Sequence, residues 1–399
     1  MSGDGGRVRS LRRGHGALCR APLLAFLIAC VIACAPGAPR SAVPSPTGAF
    51  TLTPTLTPAG ARLDAYLSGL AQAGDLRASA LVARGDAVLL SKGYGAADEA
   101  SEAPNTAKTR FRIGSITKQF TAMAILILQE QGKLRVEDSL CQYLSECPQA
   151  WRDITLRHLL THTSGVPNYT NFPDFPALIG TPVTLDQLIA RFRTQPLEFP
   201  PGARWSYSNS GYILLGSVIE RVSGQSYSAF LQDHIFAPLG MRDTGYDTNS
   251  PPSPQHATGY LKAHVQPVYI DMSEVGPAGA LYSTVEDLYR WDRALAQRRL
   301  VSAAALNAMF TPAISCPAGG CALPSDQGYG YGWFIAAESG QTLIYHLGHI
   351  DGFLTYNGFS EPDGVTVVLL SNLETTAVLG DSLKLAELAR SALPTASAR

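Results

Sequence analysis

The sequence predicts an α/β domain built from both ends of the chain: an antiparallel sheet flanked by helices, with a mainly helical insertion over about residues 134–275. Three observations carry this. The stretch "ASALVARGDAVLLSKGYGAAD" is two short apolar segments joined at Gly85-Asp86, a hairpin signal. Late in the chain "YGYGWFIAAE", "QTLIYHLG", "GFLTYNGF" and "GVTVVLLSN" follow one another with tight connections. Consecutive strands of this kind pair antiparallel, and the early hairpin can complete their sheet. Between the two ends the text is mostly helical spacing broken by loops.

The chain opens with Arg7, Arg9, Arg12, Arg13 and Arg20 ahead of "APLLAFLIACVIAC", an apolar run too short for an ordinary transmembrane span. This is the pattern of an export signal. Val31-Ile32-Ala33-Cys34 resembles a bacterial lipobox, whose cysteine becomes a lipidated N-terminus, and Leu27-Ile28-Ala29-Cys30 is an earlier candidate. Residues 1–34 are therefore expected to be a lipoprotein-type signal segment, and the protein to be exported and held at the cell envelope through Cys34 or Cys30. A plain signal peptide or an uncleaved anchor fits the same text, and Arg12-Arg13 matches part of a twin-arginine signal. Residues 35–61, rich in Pro, Thr, Ser, Ala and Gly, have the composition of an extended tether. The globular domain is expected over 62–395.

Within it, "RLDAYLSGLAQAG" has helical spacing, and "FRIGSITKQFTAMAILILQEQG", Phe111 to Gly132, is expected to be one long apolar helix closed by Gly132. Further helices are expected at "TLRHLLTHTSG", "TLDQLIARFRT", "SGYILLGSVIERVSG" and "SYSAFLQDHIF". Thr184 with Gln187, and Ser283 with Glu286, have capping-box spacing, and "SLKLAELARSAL" closes the domain. The chain of 399 residues is 46% hydrophobic and 16% charged, enough for a sizeable core. Without residues 1–33 it carries 26 basic and 31 acidic side chains, which gives no reason to expect a nucleic-acid partner. Cys141 with Cys147 and Cys316 with Cys321 are close pairs; in an exported chain two local disulfides are favoured over a four-cysteine zinc site.

Ser115 and Lys118 stand at the head of the apolar helix, and the chain has only six lysines among its 31 basic residues. Positions i and i+3 share a helix face, so hydroxyl and amine can touch. An amine among Phe111, Ile113, Ile116, Phe120 and Met123 is partly desolvated, which favours its neutral, proton-accepting form. Arginine could not serve in this way. By itself the pair also fits a capped helix with a snorkelling lysine.

Two further triplets follow in chain order: Tyr207-Ser208-Asn209 in "PPGARWSYSNSGY" and His346-Leu347-Gly348 in "YHLGHIDGF". With Ser115-Ile116-Thr117-Lys118 they make the chain resemble the serine beta-lactamase and penicillin-binding-protein superfamily. The resembling branch holds class C beta-lactamases, D-alanyl-D-alanine carboxypeptidases, D-aminopeptidases and esterases, whose signatures are SxxK, YxN and KTG or HxG. "LRHLLTHTSGVP", "YSNSGYILLGSVIE", "FAPLGMRDTGY" and "GPAGALYSTVEDL" are similar to text of the same family. The resemblance implies a beta-lactamase/transpeptidase-like fold and an acyl-enzyme formed on Ser115. Lys118 and Tyr207 would share the proton transfers, with the base left open between them, and Tyr207 would protonate the leaving group. Asn209 would hold a substrate amide and fix Lys118. The backbone N–H groups of Ser115 and His349 would form an oxyanion hole, and Gly348 would let a substrate backbone approach. No metal or cofactor is implied.

The third triplet departs from the beta-lactamase pattern, because His346 and Leu347 replace the lysine and threonine that would recognise a carboxylate. His346 is expected to keep a donor that can be cationic. Leu347 offers no hydrogen bond, which weighs against beta-lactam hydrolysis; because an HxG triplet is more similar to the peptidase and esterase members, the resemblance implies an ester or a D-amino-acid peptide as the favoured substrate, with a true beta-lactam the alternative. Three other readings compete. His158 and His162 have i, i+4 spacing that can bind zinc, but "HLLTH" lacks the glutamate of a HExxH site, which favours structural histidines. A Ser-His-Asp hydrolase using His346 or His349 with Asp351 lacks a GxSxG elbow. A non-catalytic envelope-binding protein would not need Ser115, Lys118 and Tyr207 together. The sequence gives no signal for oligomeric state.

Overall fold

The computed structural model describes residues 57–249, 253–315 and 321–391. The expected signal segment, most of the expected tether and Cys316 lie outside them. Among the described residues no helix is long and apolar enough to cross a membrane.

Seven strands form one sheet. They are β1 (Ala78–Arg84), β2 (Ala87–Tyr94), β3 (Asp326–Tyr329), β4 (Phe334–Glu338), β5 (Gln341–Ile350), β6 (Phe353–Glu361) and β7 (Val365–Ser371), in spatial order β2-β1-β7-β6-β5-β4-β3. Every neighbouring pair is antiparallel. The hairpin at Gly85-Asp86 therefore completes the late strands by pairing β1 with β7, from Ala78 opposite Ser371 to Arg84 opposite Val365.

Strand alternation divides the interior in two. Leu81, Ala83, Ile344, Ile350, Val368 and Leu370 face one core, while Ala80, Val82, Leu343, Tyr345, Val367 and Leu369 face the other. Helices α1 (Pro58–Ala73) and α7 (Val378–Arg390) cover the second face through Leu63, Leu67, Leu385 and Ala389. On the first face lie α2 (Thr117–Glu130), α3 (Leu156–Leu160), α4 (Leu185–Arg193), α5 (Asn209–Ser223) and α6 (Val285–Ala296). α2 is buried from Thr117 to Leu128, as its nearly uninterrupted apolar text requires.

Several boundaries differ from expectation for local reasons. α1 starts at Pro58 behind the N-cap Thr57, whose hydroxyl accepts the Gly60 N–H, so residues 58–61 are a helical turn rather than tether. The stretch from Phe111 is not one helix: Phe111–Arg112 is a short strand paired to Ser283 and Tyr282. Gly114 then turns with φ +52°, and a 3₁₀ turn, Gly114–Ile116, leads into α2. The α6 cap is Thr284, one residue after the expected Ser283, because Ser283 ends a strand and bonds Thr244. "YGYGWFIAAE" straddles two strands, with a turn at Gly332 (φ +80°) between them. The capping box of Thr184 and Gln187 forms as expected, and Gly224 caps the C-terminus of α5. Cys141 and Cys147 are disulfide-bonded.

Candidate active site

The 3₁₀ turn places Ser115, partly exposed, between the helical layer and β5, and Lys118 one turn deeper in the first turn of α2. Gly114 makes this possible twice over. Its positive φ bends the chain out of the strand, and a Cβ on it would stand 2.7 Å from the His349 nitrogen. The backbones carrying the Ser115 and His349 N–H groups are thus pressed together.

Lys118 is 0% exposed. Its Nζ lies 3.0 Å from Ser115 Oγ, 2.8 Å from Asn209 Oδ1 and 2.8 Å from the Ala278 carbonyl oxygen. Burial holds its pKa well below the usual lysine range, and among the described residues no carboxylate touches it to offset that. A neutral amine has two N–H donors and one lone pair. Asn209 Oδ1 and Ala278 O can only accept, so they take both donors, and the lone pair faces the Ser115 hydroxyl. As an ammonium, the same group would donate to all three.

Tyr207 completes the arrangement, its hydroxyl donating to Ser115 Oγ at 2.8 Å. It stands just ahead of α5, whose first residue, Asn209, donates its backbone N–H to Asn168 Oδ1 and its side-chain Nδ2 to Thr170. Burial pushes the Tyr207 phenol above the ordinary tyrosine range, with the Ser115 bond working the other way. Lys118 lies 4.8 Å from the centre of its ring. Ser115, Tyr207 and Asn209 are partly exposed while Lys118 is sealed beneath them.

Ala278 was not anticipated as a member of this cluster, although "GPAGAL" belonged to the family-like text. Its carbonyl is held by the backbone around it. Glu274, fully buried, takes Arg191 of α4 in a two-bond pair at 2.5 and 2.8 Å. Its carbonyl accepts the Tyr169 hydroxyl. The Pro277 carbonyl accepts Thr121 of α2 at 2.7 Å.

The strand wall corrects one expectation, that for His346. His346 is 2% exposed, and burial depresses its pKa to about 3, so it is neutral rather than a potential cation. Its Nδ1 donates to the Leu347 carbonyl and its Nε2 accepts the Tyr329 hydroxyl at 2.9 Å, which leaves no donor for a carboxylate. Gly348 is required by packing within the fold. A Cβ there would stand 2.0 Å from the Ile113 carbonyl oxygen and 2.2 Å from Thr355 Oγ1, so glycine lets β5 press against the Ser115 turn. The His349 side chain points away to Glu374 at 2.6 Å, which also accepts the Gly352 N–H and ties down the β5–β6 turn. Beyond that turn a cavity of about 370 Å³ is lined by Arg112, Asp247, His256, Tyr282, Asp351 and Phe353.

The two histidines of "HLLTH" part company. His158 is structural, as read: its Nδ1 accepts the Thr155 N–H in the capping box that opens α3. His162 packs against Tyr207 with ring centres 4.3 Å apart, a closeness to the site that its spacing did not reveal.

The architecture and the site agree with comparison to known proteins. The beta-lactamase family model matches residues 64–390. PbpX of Bacillus subtilis (strain 168), named as a penicillin-binding protein, is 33% identical over 305 residues, 76% of this chain and 72% of that one. Among solved structures, a penicillin-binding protein from Bacillus halodurans superposes with a TM-score of 0.70 at 30% identity, covering 81% of this chain and 98% of that one. A D-stereospecific amidohydrolase from Streptomyces sp. does so with a TM-score of 0.68 at 28% identity, over 82% and 97% of the two chains. An extended match to the family model, joined to relatives of this identity and a shared fold, leads to one conclusion: the chain belongs to the beta-lactamase family of serine hydrolases.

Proposed function

We propose that the protein is an exported hydrolase that forms an acyl-enzyme on Ser115 and cleaves an ester or an amide of a D-amino-acid-containing peptide. One observation carries this: Ser115 Oγ is held between a buried amine at 3.0 Å and a phenol at 2.8 Å. The neutral Lys118 amine takes the Ser115 proton as Oγ attacks the substrate carbonyl. The oxyanion that forms is met by the N–H groups of Ser115 and His349. On collapse Tyr207 protonates the leaving nitrogen or oxygen, and the proton on Lys118 returns to Tyr207. Water then enters along the reverse proton path and releases the acid.

Assigning the base to Lys118 rests on opposite effects of one burial. Desolvation lowers the amine and raises the phenol, so at neutral pH the amine accepts protons and the phenol donates them. The substrate class rests on the strand wall. A neutral His346 and an apolar Leu347 give a substrate carboxylate neither charge nor hydroxyl, which disfavours the beta-lactamase alternative. Likeness to a D-stereospecific amidohydrolase supports the D-amino-acid reading. Export rests on the basic and apolar start of the chain, with Cys34 or Cys30 as the proposed lipid anchor.

The test is a panel of p-nitrophenyl esters, D- and L-amino-acid p-nitroanilides, D-alanyl peptides and nitrocefin on wild type and Ser115→Ala. Hydrolysis of esters or D-amides, with little of nitrocefin and none in Ser115→Ala, is expected. Hydrolysis that survives Ser115→Ala, or efficient turnover confined to nitrocefin, contradicts the reading. For the anchor, membrane partitioning is expected to be lost when Cys34 and Cys30 are both replaced by serine, and unchanged partitioning contradicts it.

A further inference from the structure

Behind Tyr207, His162 makes three contacts that converge on that one residue. Its backbone carbonyl accepts the Ser206 N–H at 2.9 Å and its Nδ1 accepts the Ser208 N–H at 3.1 Å, so the backbone is gripped on both sides of Tyr207. Its ring lies against the Tyr207 ring at 4.3 Å. The neighbouring bonds Gly202 N–H to Thr163 O and Glu198 N–H to Gly165 O, each 2.8 Å, continue the same seam. They hold the segment from Glu198 to Ser208 against the end of α3.

The residue bears two costs that packing alone does not call for. Its backbone is left-handed, with φ +58°, a conformation that non-glycine residues adopt seldom. Because Nδ1 accepts a hydrogen, the neutral ring carries its proton on Nε2, and that buried nitrogen has no hydrogen-bond partner among the described residues. An apolar residue would fill the space without an orphaned donor. What it could not supply is the acceptor for Ser208. The ionisable groups facing the ring are Lys118, His346, Tyr207, Tyr212 and Tyr329, with no carboxylate among them. The ring is accordingly kept neutral, with Nδ1 free to accept.

We propose that His162 is a positioning residue for Tyr207: through its Nδ1 acceptor it fixes the backbone that aims the phenol at Ser115 Oγ. The inference rests on the role assigned to Tyr207 above. A shift of about 1 Å at a reacting group costs on the order of 10²-fold in rate, so loosening this grip is read in turnover rather than in binding.

The experiment measures p-nitrophenyl acetate turnover and the rate of Ser115 labelling by a fluorophosphonate for wild type, Tyr207→Phe, His162→Asn and His162→Gly. Rates are expressed per folded molecule, with the folded fraction read from thermal melts. Asparagine and glycine both accept a left-handed backbone and both lack the ring, but only asparagine places an acceptor near the Nδ1 position. The expected result is a fall in kcat of about 10²-fold for His162→Gly at unchanged KM, and recovery to within about tenfold of wild type in His162→Asn. Equal kcat in wild type and His162→Gly, or an equal fall in both His162 variants, overturns the inference. Wild-type rates in Tyr207→Phe would instead overturn the role of Tyr207, a separate failure.

Discussion

The two sides of the site, a helical wall and a strand wall, are built on opposite principles. On the helical wall polar atoms from three segments of the chain, Ser115 beside Lys118, Tyr207 with Asn209, and Ala278, reach Lys118 or its serine within hydrogen-bond distance. On the strand wall the side chains of the signature triplet are turned to internal work. His346 is bonded to Tyr329 and Leu347, Gly348 makes room for Ile113, and the neighbouring His349 side chain is bonded to Glu374. Neither His346 nor Leu347 is left with a side-chain donor to offer a substrate. The contrast is what the proposed reading rests on: it gives the chemistry to the helical wall and leaves the strand wall without a side-chain clamp for a carboxylate.

The largest effect expected from breaking the helical wall is in Lys118→Arg. An arginine cannot give up its proton, so kcat falls by about 10³-fold while KM changes little, and single-turnover kinetics on an ester checks it. Next is the pH profile. The base works unprotonated, so kcat/KM holds at neutral pH and falls only as the pH drops through the lowered Lys118 value. Because burial raises Tyr207, there is no alkaline loss in the ordinary tyrosine range near about 10. An alkaline optimum rising through the ordinary lysine range would place the proton on Lys118 and contradict this.

On the strand wall the expected effects are smaller. His346 stays neutral down to about pH 3, so the KM for a substrate carrying a carboxylate shows no histidine step between about pH 5 and 8. Leu347→Thr restores a hydroxyl and raises the rate of acylation by penicillin by up to about tenfold, about one hydrogen bond's worth, leaving ester turnover within about threefold. A larger gain in beta-lactam turnover would show that the wall is a clamp awaiting one residue.

The smallest expected effect on activity lies behind α2, at Asp292, a fully buried carboxylate bonded to Asn357 Nδ2 at 3.0 Å. Burial raises its pKa well above the carboxylate range. Its folded value exceeds its unfolded one, so its stabilising contribution is complete in acid and is lost as the pH rises through the folded value. Asp292→Asn therefore raises the melting temperature at neutral pH by a few degrees, less so in acid, with kcat unchanged. Melts across pH check the sign.

The helical wall was far more legible in the sequence than the strand wall, and the reason is physical. SxxK spacing is local geometry, and a scarce lysine in apolar text announces its own desolvation. The hairpin, the consecutive strands and the Thr184 cap are equally local. His346 could not be judged in this way, because its protonation is decided by Tyr329, Lys118 and the burial they share, far apart in sequence. The helix from Phe111 failed for a related reason. Its start is set by pairing with Tyr282 and Ser283, and by Gly114 yielding to His349, contacts that no periodicity records. His162 lay in plain view in "HLLTH", yet spacing alone suggested zinc or structure and said nothing of Tyr207.

The most direct test of the account is to trap the acyl-enzyme. Wild type and Ser115→Ala are mixed with a fluorophosphonate or a slowly released ester, and intact mass and peptide mapping are read. One adduct per molecule, located on Ser115 and absent from Ser115→Ala, is predicted; an adduct elsewhere, or hydrolysis by wild type that leaves no Ser115 adduct under saturating reagent, contradicts it.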